Sequence, residues 1–144
     1  MQTVTLSLFR FAGPAARIWA FAMMGAARPG LARVADIGFW KLCGSGTGEG
    51  FTPVPNTAVY AILASWPDLE TAQEQTAQAP VFERYRAMAA EAWTLYLTPI
   101  SARGEWAGRA PFAPQDDPGT GPIAALTRAT VKPRAALRFW NRVP

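Results

Sequence analysis

Histidine is absent from all 144 residues, and cysteine occurs once, at Cys43. Without histidine there is no Ser–His–Asp relay, no imidazole ligand for zinc and no imidazole general base. A single cysteine excludes an internal disulfide framework and fits a reducing, cytoplasmic setting. Charged residues are scarce at 17%. Long apolar runs are missing too: Ile18 to Ala27 falls well short of the ~20 residues that span a bilayer. That run ends in Gly25-Ala26-Ala27, as a leader's cleavage site would. The segment before it is too long for a leader, however, and carries Arg10 and Arg17, so a buried helix is the better reading.

What the chain has in quantity is apolar and aromatic: half of it is hydrophobic, with six Trp and eight Phe. One domain of this size can bury a substantial core, and so aromatic a composition suits dense packing or an apolar ligand. The net charge of +4 invites a nucleic-acid reading, but its placement argues against one. Residues 123–144 hold Arg128, Lys132, Arg134, Arg138 and Arg142 and no acid, five positive charges against +4 overall, so the remainder nets to about −1. A nucleic-acid footprint needs a basic stripe on the folded body, and no nucleic-acid partner is expected.

Cys43-Gly44-Ser45-Gly46-Thr47-Gly48-Glu49-Gly50-Phe51 looks like a phosphate-binding loop but fails the tests for one. Neither glycine frame completes G-x-G-x-x-G, no lysine closes a P-loop, and Pro53 and Pro55 forbid the helix whose N-terminus would hold the anion. The glycines alternate strictly. In an extended chain this strips one face of side chains, so that a flat object or another backbone can approach. The plainer alternative is a β-hairpin connection.

Val4 to Phe11 alternates as a half-buried strand does, and Gly13-Pro14 opens a helix through about Ala27, closed by Pro29-Gly30. Trp19, Met23 and Met24 make this helix apolar all round, which predicts burial on most of its circumference or a place lining a pocket. Strands are expected over 37–43, 57–65 and 94–100. Ser65-Trp66-Pro67-Asp68 matches a capping box opening a second helix, which breaks at Pro80 and resumes with Val81, Tyr85, Met88 and Ala92 on one face. The order β-α-β-β-α-β is that of an α+β, ferredoxin-like unit, here over residues 1–102. Residues 103–122 read as a Pro/Gly-rich linker or wrapping loop. Residues 123–144 then repeat the opening pattern: alternating Ala125 to Val131 and a proline-started helix from Pro133, as if a second unit began. That strand is expected to pair with or extend the first sheet. Trp140 beside Arg134, Arg138 and Arg142 suits packing on a second sheet or, alternatively, contact with an anionic membrane surface.

Phe39-Trp40-Lys41, the glycine stretch, Phe51-Thr52-Pro53, Trp66-Pro67-Asp68 and Ile123 to Val131 together resemble the spheroidene monooxygenase family of carotenoid biosynthesis in purple phototrophic bacteria. The resemblance runs from Met1 to the end, and family members continue past Pro144. It implies an oxygen-dependent enzyme using haem, reduced ferredoxin as electron donor, and an acyclic carotenoid oxidised beside its methoxy-bearing carbon, first to a hydroxyl and then to a ketone. A cytoplasmic location is expected, with a peripheral place on the photosynthetic membrane as the alternative. On this reading Trp19, Met23, Met24, Phe39 and Trp40 wall a substrate tunnel, although ordinary core packing explains each singly. Axial haem ligands are His, Cys, Met or Tyr. Cys43, at the mouth of the glycines Gly44, Gly46 and Gly48, is then a candidate thiolate, with Lys41 or Arg128 pairing a propionate; the alternative is a ligand beyond Pro144. No catalytic residue can be named. Two further readings stand beside this one: a cofactor-free ferredoxin-like monooxygenase acting on a quinol-like substrate, and a non-enzymatic module that pairs through its sheet as a homo-oligomer.

Overall fold

A computed structural model describes residues 1–49 and 52–142. Gly50 and Phe51 of the glycine stretch, with Val143 and Pro144, lie outside the described residues. Eight elements form the body: β1 (Thr3–Arg10), α1 (Pro14–Ala26), α2 (Arg28–Ala32), β2 (Trp40–Gly46), β3 (Pro55–Trp66), α3 (Leu69–Gln78), α4 (Pro80–Met88) and β4 (Glu91–Leu97). The strands make one antiparallel sheet in the order β2-β3-β1-β4. Each half is a strand–helix–strand crossover, with the other half's strand inserted between its two strands. This is the ferredoxin-like arrangement expected from the pattern.

The period-two alternation of β1 and β3 sorts their side chains. Phe9, Tyr60, Ile62, Ala64 and Trp66 join Ala20, Met23, Leu31, Val81, Phe82 and Tyr85 in a core between sheet and helices. Small hydroxyl residues of β1 share that side. Buried Thr5 accepts from the Trp66 indole N–H at 2.8 Å, and Ser7 bonds Thr94 at 3.0 Å. These pairings satisfy polar groups whose burial would otherwise destabilise the core. The opposite face carries Val4, Leu6, Leu8, Ala61 and Leu63, with Trp93 and Leu95 aligned opposite Leu8 and Leu6. Residues after β4 wrap part of this face. Gln2 bonds Pro111, Ala113 and Gln115 in turn, and the Phe39 ring packs on Trp106 and Phe112. At the β4 edge the face is uncovered, with Trp93 64% exposed.

Several boundaries differ from expectation. The second helix starts not at Ser65 but at Asp68, whose carboxylate accepts the Thr71 N–H at 2.8 Å. Ser65 stays in β3, and its hydroxyl accepts from the Phe39 N–H. The break at Pro80 is real, because proline supplies no N–H to continue α3, and Arg86 caps the exposed carbonyls of Thr76 and Ala77. The resumed helix stops at Met88, which is exposed, so Ala92 belongs to β4 instead. No strand forms over 125–131; those residues run irregular, exposed up to Thr130 and paired to no strand, and among the described residues that follow Pro133–Ala135 and Ala136–Trp140 (α5) are helical.

The capping carboxylate gives a pH signature. The Thr71 N–H holds Asp68 below the usual carboxylate range. A folded-state pKa below the unfolded one stabilises above the unfolded value, and that stability is lost as pH falls through the folded one. Asp68→Ala should therefore lower Tm at pH 7. The gap from wild type should close in acid, below the ordinary aspartate pKa of about 3.9. A gap independent of pH in thermal melts would remove the cap from the account.

Candidate functional site

Gly13, with φ of 75°, turns the chain out of β1, and Pro14 then sets the first turn of α1. This start lays α1 along β3 and leaves a cleft between them. The cleft is about 580 Å³ and is lined by Gly13, Pro14, Arg17, Ile18 and Phe21 from the helix side and by Thr57 and Tyr60 from β3. Its volume suits a small ligand or one end of a long one. Tyr60, on the helix side of the sheet, forms the floor, edge-on to Phe11 at 6.0 Å. Behind it lies a ring cluster in which Phe11, Trp19, Phe9 and Tyr85 meet at 4.9 to 6.3 Å. Burial pushes the Tyr85 phenol up to about 12, so it stays neutral as part of the packing.

Ile18 and Phe21 are 70% and 72% exposed and form the open wall. Arg17 supplies the only cation of the lining, its Nε donating to the Phe11 carbonyl at 3.4 Å. Among the described residues the one salt bridge, Arg10–Glu91 at 2.6 Å, does not involve Arg17. The cleft thus offers apolar walls, one guanidinium, one phenol and one threonine hydroxyl. It is equipped to hold and orient a ligand.

The prediction that α1 is buried round most of its circumference fails at Ile18 and Phe21; within the helix only Ala20 and Met23 are buried. The expected tunnel wall also divides. Met23 lies in the core and Trp19, Met24 and Trp40 pack against it, whereas Phe39 sits on the other face of the sheet, alongside Lys41 and Cys43. These five side chains therefore do not line a common tunnel. The sequence did not single out Arg17, Thr57 or Tyr60. The available signal was the lack of any polar stripe on α1, which burial and an open apolar wall explain equally well.

The residues expected around a haem are partly gathered. Lys41 lies over Phe39 at 5.1 Å, Phe39 packs on Trp106 at 5.4 Å, and Arg128 lies over Trp106 at 5.4 Å. They do not fit a haem. Cys43 is half-buried, and burial pushes its thiol up against the smaller opposing pull of Lys41, which disfavours a thiolate ligand. Gly44 sits at the bulge where β2 slips against β3, Gly48 takes a positive φ of 75° in the turn, and a Cβ on Gly46 would meet Thr52 at 2.6 Å. The space the glycines leave is thus taken, at Gly46, by the neighbouring arm of the hairpin. No group of three or more potential metal-binding His, Cys, Asp or Glu residues occurs among the described residues.

Comparison with known proteins places the chain. No family model matches it. Spheroidene monooxygenase of Cereibacter sphaeroides is 50% identical over 145 residues, covering 100% of this chain and 45% of its own length. The chain is homologous to the spheroidene monooxygenases. The Rhodobacter capsulatus spheroidene monooxygenase is 48% identical, covering 100% of this chain and 61% of its own length. That of Rubrivivax gelatinosus is 32% identical over 88% of this chain and 50% of its own. The chain thus spans about half the length of these spheroidene monooxygenases. Among solved structures, a Mycobacterium tuberculosis protein aligns with a TM-score of 0.52 at 15% identity, covering 72% of this chain and 100% of its own. A Nitrosomonas europaea protein of unknown function aligns at 0.51 and 10%, covering 74% and 97%. Both share the fold.

Proposed function

We propose that this chain supplies the substrate-binding cleft of an oxygen-dependent carotenoid monooxygenase. The observation that carries the reading is the apolar wall of Ile18 and Phe21, held open to solvent on a chain homologous to spheroidene monooxygenases. An exposed isoleucine and phenylalanine over an aromatic floor match a ligand with apolar surface and few polar groups. A cleft of about 580 Å³ takes one end of an acyclic carotenoid, and the remaining polyene runs out past Phe21. Arg17 or the hydroxyl of Tyr60 or Thr57, as the cleft's donors, would hold the terminal methoxy oxygen and so fix which carbon is presented.

On this reading O₂ inserts one oxygen atom into a C–H bond of the carbon next to the methoxy-bearing one. Two electrons, supplied by reduced ferredoxin, and two protons reduce the other atom to water. A second round at the same carbon gives a gem-diol, which loses water to leave the ketone. Haem would activate O₂ in the complete enzyme; the residues described here do not fit it, and no step is assigned to it on this chain.

The test is titration of the 144-residue chain with an acyclic carotenoid in mild detergent, read as quenching of tryptophan emission through energy transfer to the polyene. Saturable one-to-one binding is expected, with a short quinol failing to compete. Non-saturable quenching, or displacement by the quinol, would overturn the assignment.

A further inference from the structure

The outer face of α1 has no polar residue in its middle. Helical spacing puts Ala15, Ile18, Ala22, Gly25 and Ala26 on one stripe, all exposed, with Phe21 at its border. A Cβ on Gly25 would meet nothing within 4 Å. Arg17 and Arg28 flank the stripe on the side of Phe21. Arg28 is anchored by its Nε donating to the Met24 carbonyl at 3.2 Å, and Arg33 follows α2. Between Arg10 and Asp36 there is no acidic residue. The other long helix in the same layer is built in the opposite way: α3 exposes Glu70, Gln73, Glu74 and Gln78. Exposure alone therefore does not explain an apolar α1, since a soluble surface is satisfied by the composition of α3.

We propose that this face docks α1 flat on an anionic lipid bilayer. An apolar stripe bordered by cations, with no carboxylate to be repelled, is the pattern of a helix that lies in the membrane interface. At 13 residues α1 is about 20 Å long, enough to lie along the surface and too short to cross it. No helix among the described residues is long and apolar enough to span a membrane. The arginines choose the headgroup charge, and Phe21, Ile18 and Ala22 enter the acyl boundary. Docked this way, the cleft opens toward the lipid, so a lipophilic ligand reaches it without crossing water. The proposal rests on α1 itself and not on which ligand the cleft takes.

The test is cosedimentation of the 144-residue chain with vesicles of pure phosphatidylcholine or with 30% phosphatidylserine added, in low and high salt. Binding is expected to the anionic vesicles only and to fall in high salt, as screening requires. Ala22→Glu and Arg28→Glu lie outside the cleft lining. Each should weaken vesicle binding at least tenfold while carotenoid affinity in detergent stays unchanged, which separates this proposal from the assignment of the cleft. Leu137→Glu, on the exposed C-terminal helix, should bind as wild type. Equal binding to neutral vesicles, or loss only with Leu137→Glu, would overturn the proposal. So would a change in sedimentation mass, without vesicle binding, when Ala22 or Arg28 is replaced; the face would then belong to a second copy.

Discussion

Trp66→Ala should remove most of the stability of this fold. The indole is 1% exposed at the end of β3, opposite Thr3 on β1, with its ring 6.3 Å from Phe82 of α4. It joins the central strands to the second helical segment. Truncating a buried tryptophan to alanine costs about 3–5 kcal/mol. The change also leaves the buried Thr5 hydroxyl without its 2.8 Å donor, for a further penalty of roughly 1–3 kcal/mol. Domains of this size are stable by only about 5–15 kcal/mol, so the variant should be largely unfolded at 37 °C. Trp66→Phe, which keeps an aromatic ring but loses the indole N–H and part of the buried volume, should fall in between. Urea titration decides, and a loss below about 1 kcal/mol for Trp66→Ala would mean that the packing is wrongly drawn.

Replacing both Ile18 and Phe21 by alanine should have the reverse profile, a large loss of ligand and almost none of stability. Both side chains are more than two-thirds exposed, so their removal opens no core cavity. Burying an aliphatic or aromatic side chain against a ligand contributes about 1.5–3 kcal/mol each. The pair together then sets carotenoid affinity by roughly a hundredfold at least. Each single variant should lose about tenfold, with Tm unchanged within about 2 °C. Unaltered affinity would take the cleft out of the account, and a large fall in Tm would reassign the two residues to folding.

The topology was legible because alternation in β1 and β3 and the proline-marked helix starts are local signals that later packing did not override. Trp66-Pro67-Asp68 is instructive in this respect. It carried part of the family resemblance, and in the fold Trp66 is core and Asp68 caps α3. The capping box misplaced the helix start because Ser65 has the right side chain but is drawn into β3, where its hydroxyl serves Phe39. The exposure of α1 was not legible. A helix apolar on every side carries no mark of which face meets the core, and only the crossing over β3 selects Ala20 and Met23 over Ile18 and Phe21. The strand expected over 125–131 failed for a related reason: alternation states that a segment can pair, but an edge with matching register must be available. The candidate site suffered most, since Phe39 and Trp40 are neighbours in sequence and lie on opposite faces of the sheet.

The central claim is that the cleft between α1 and β3 holds the carotenoid, and ¹H–¹⁵N chemical-shift mapping of the detergent-solubilised chain tests it most directly. On titration with an acyclic carotenoid, the amides of Gly13, Arg17, Ile18, Phe21, Thr57 and Tyr60 should shift together, leaving Lys41 to Gly48 in place. Shifts confined to Lys41, Cys43, Gly44 and Arg128, with α1 silent, would contradict it and return the ligand to the glycine hairpin.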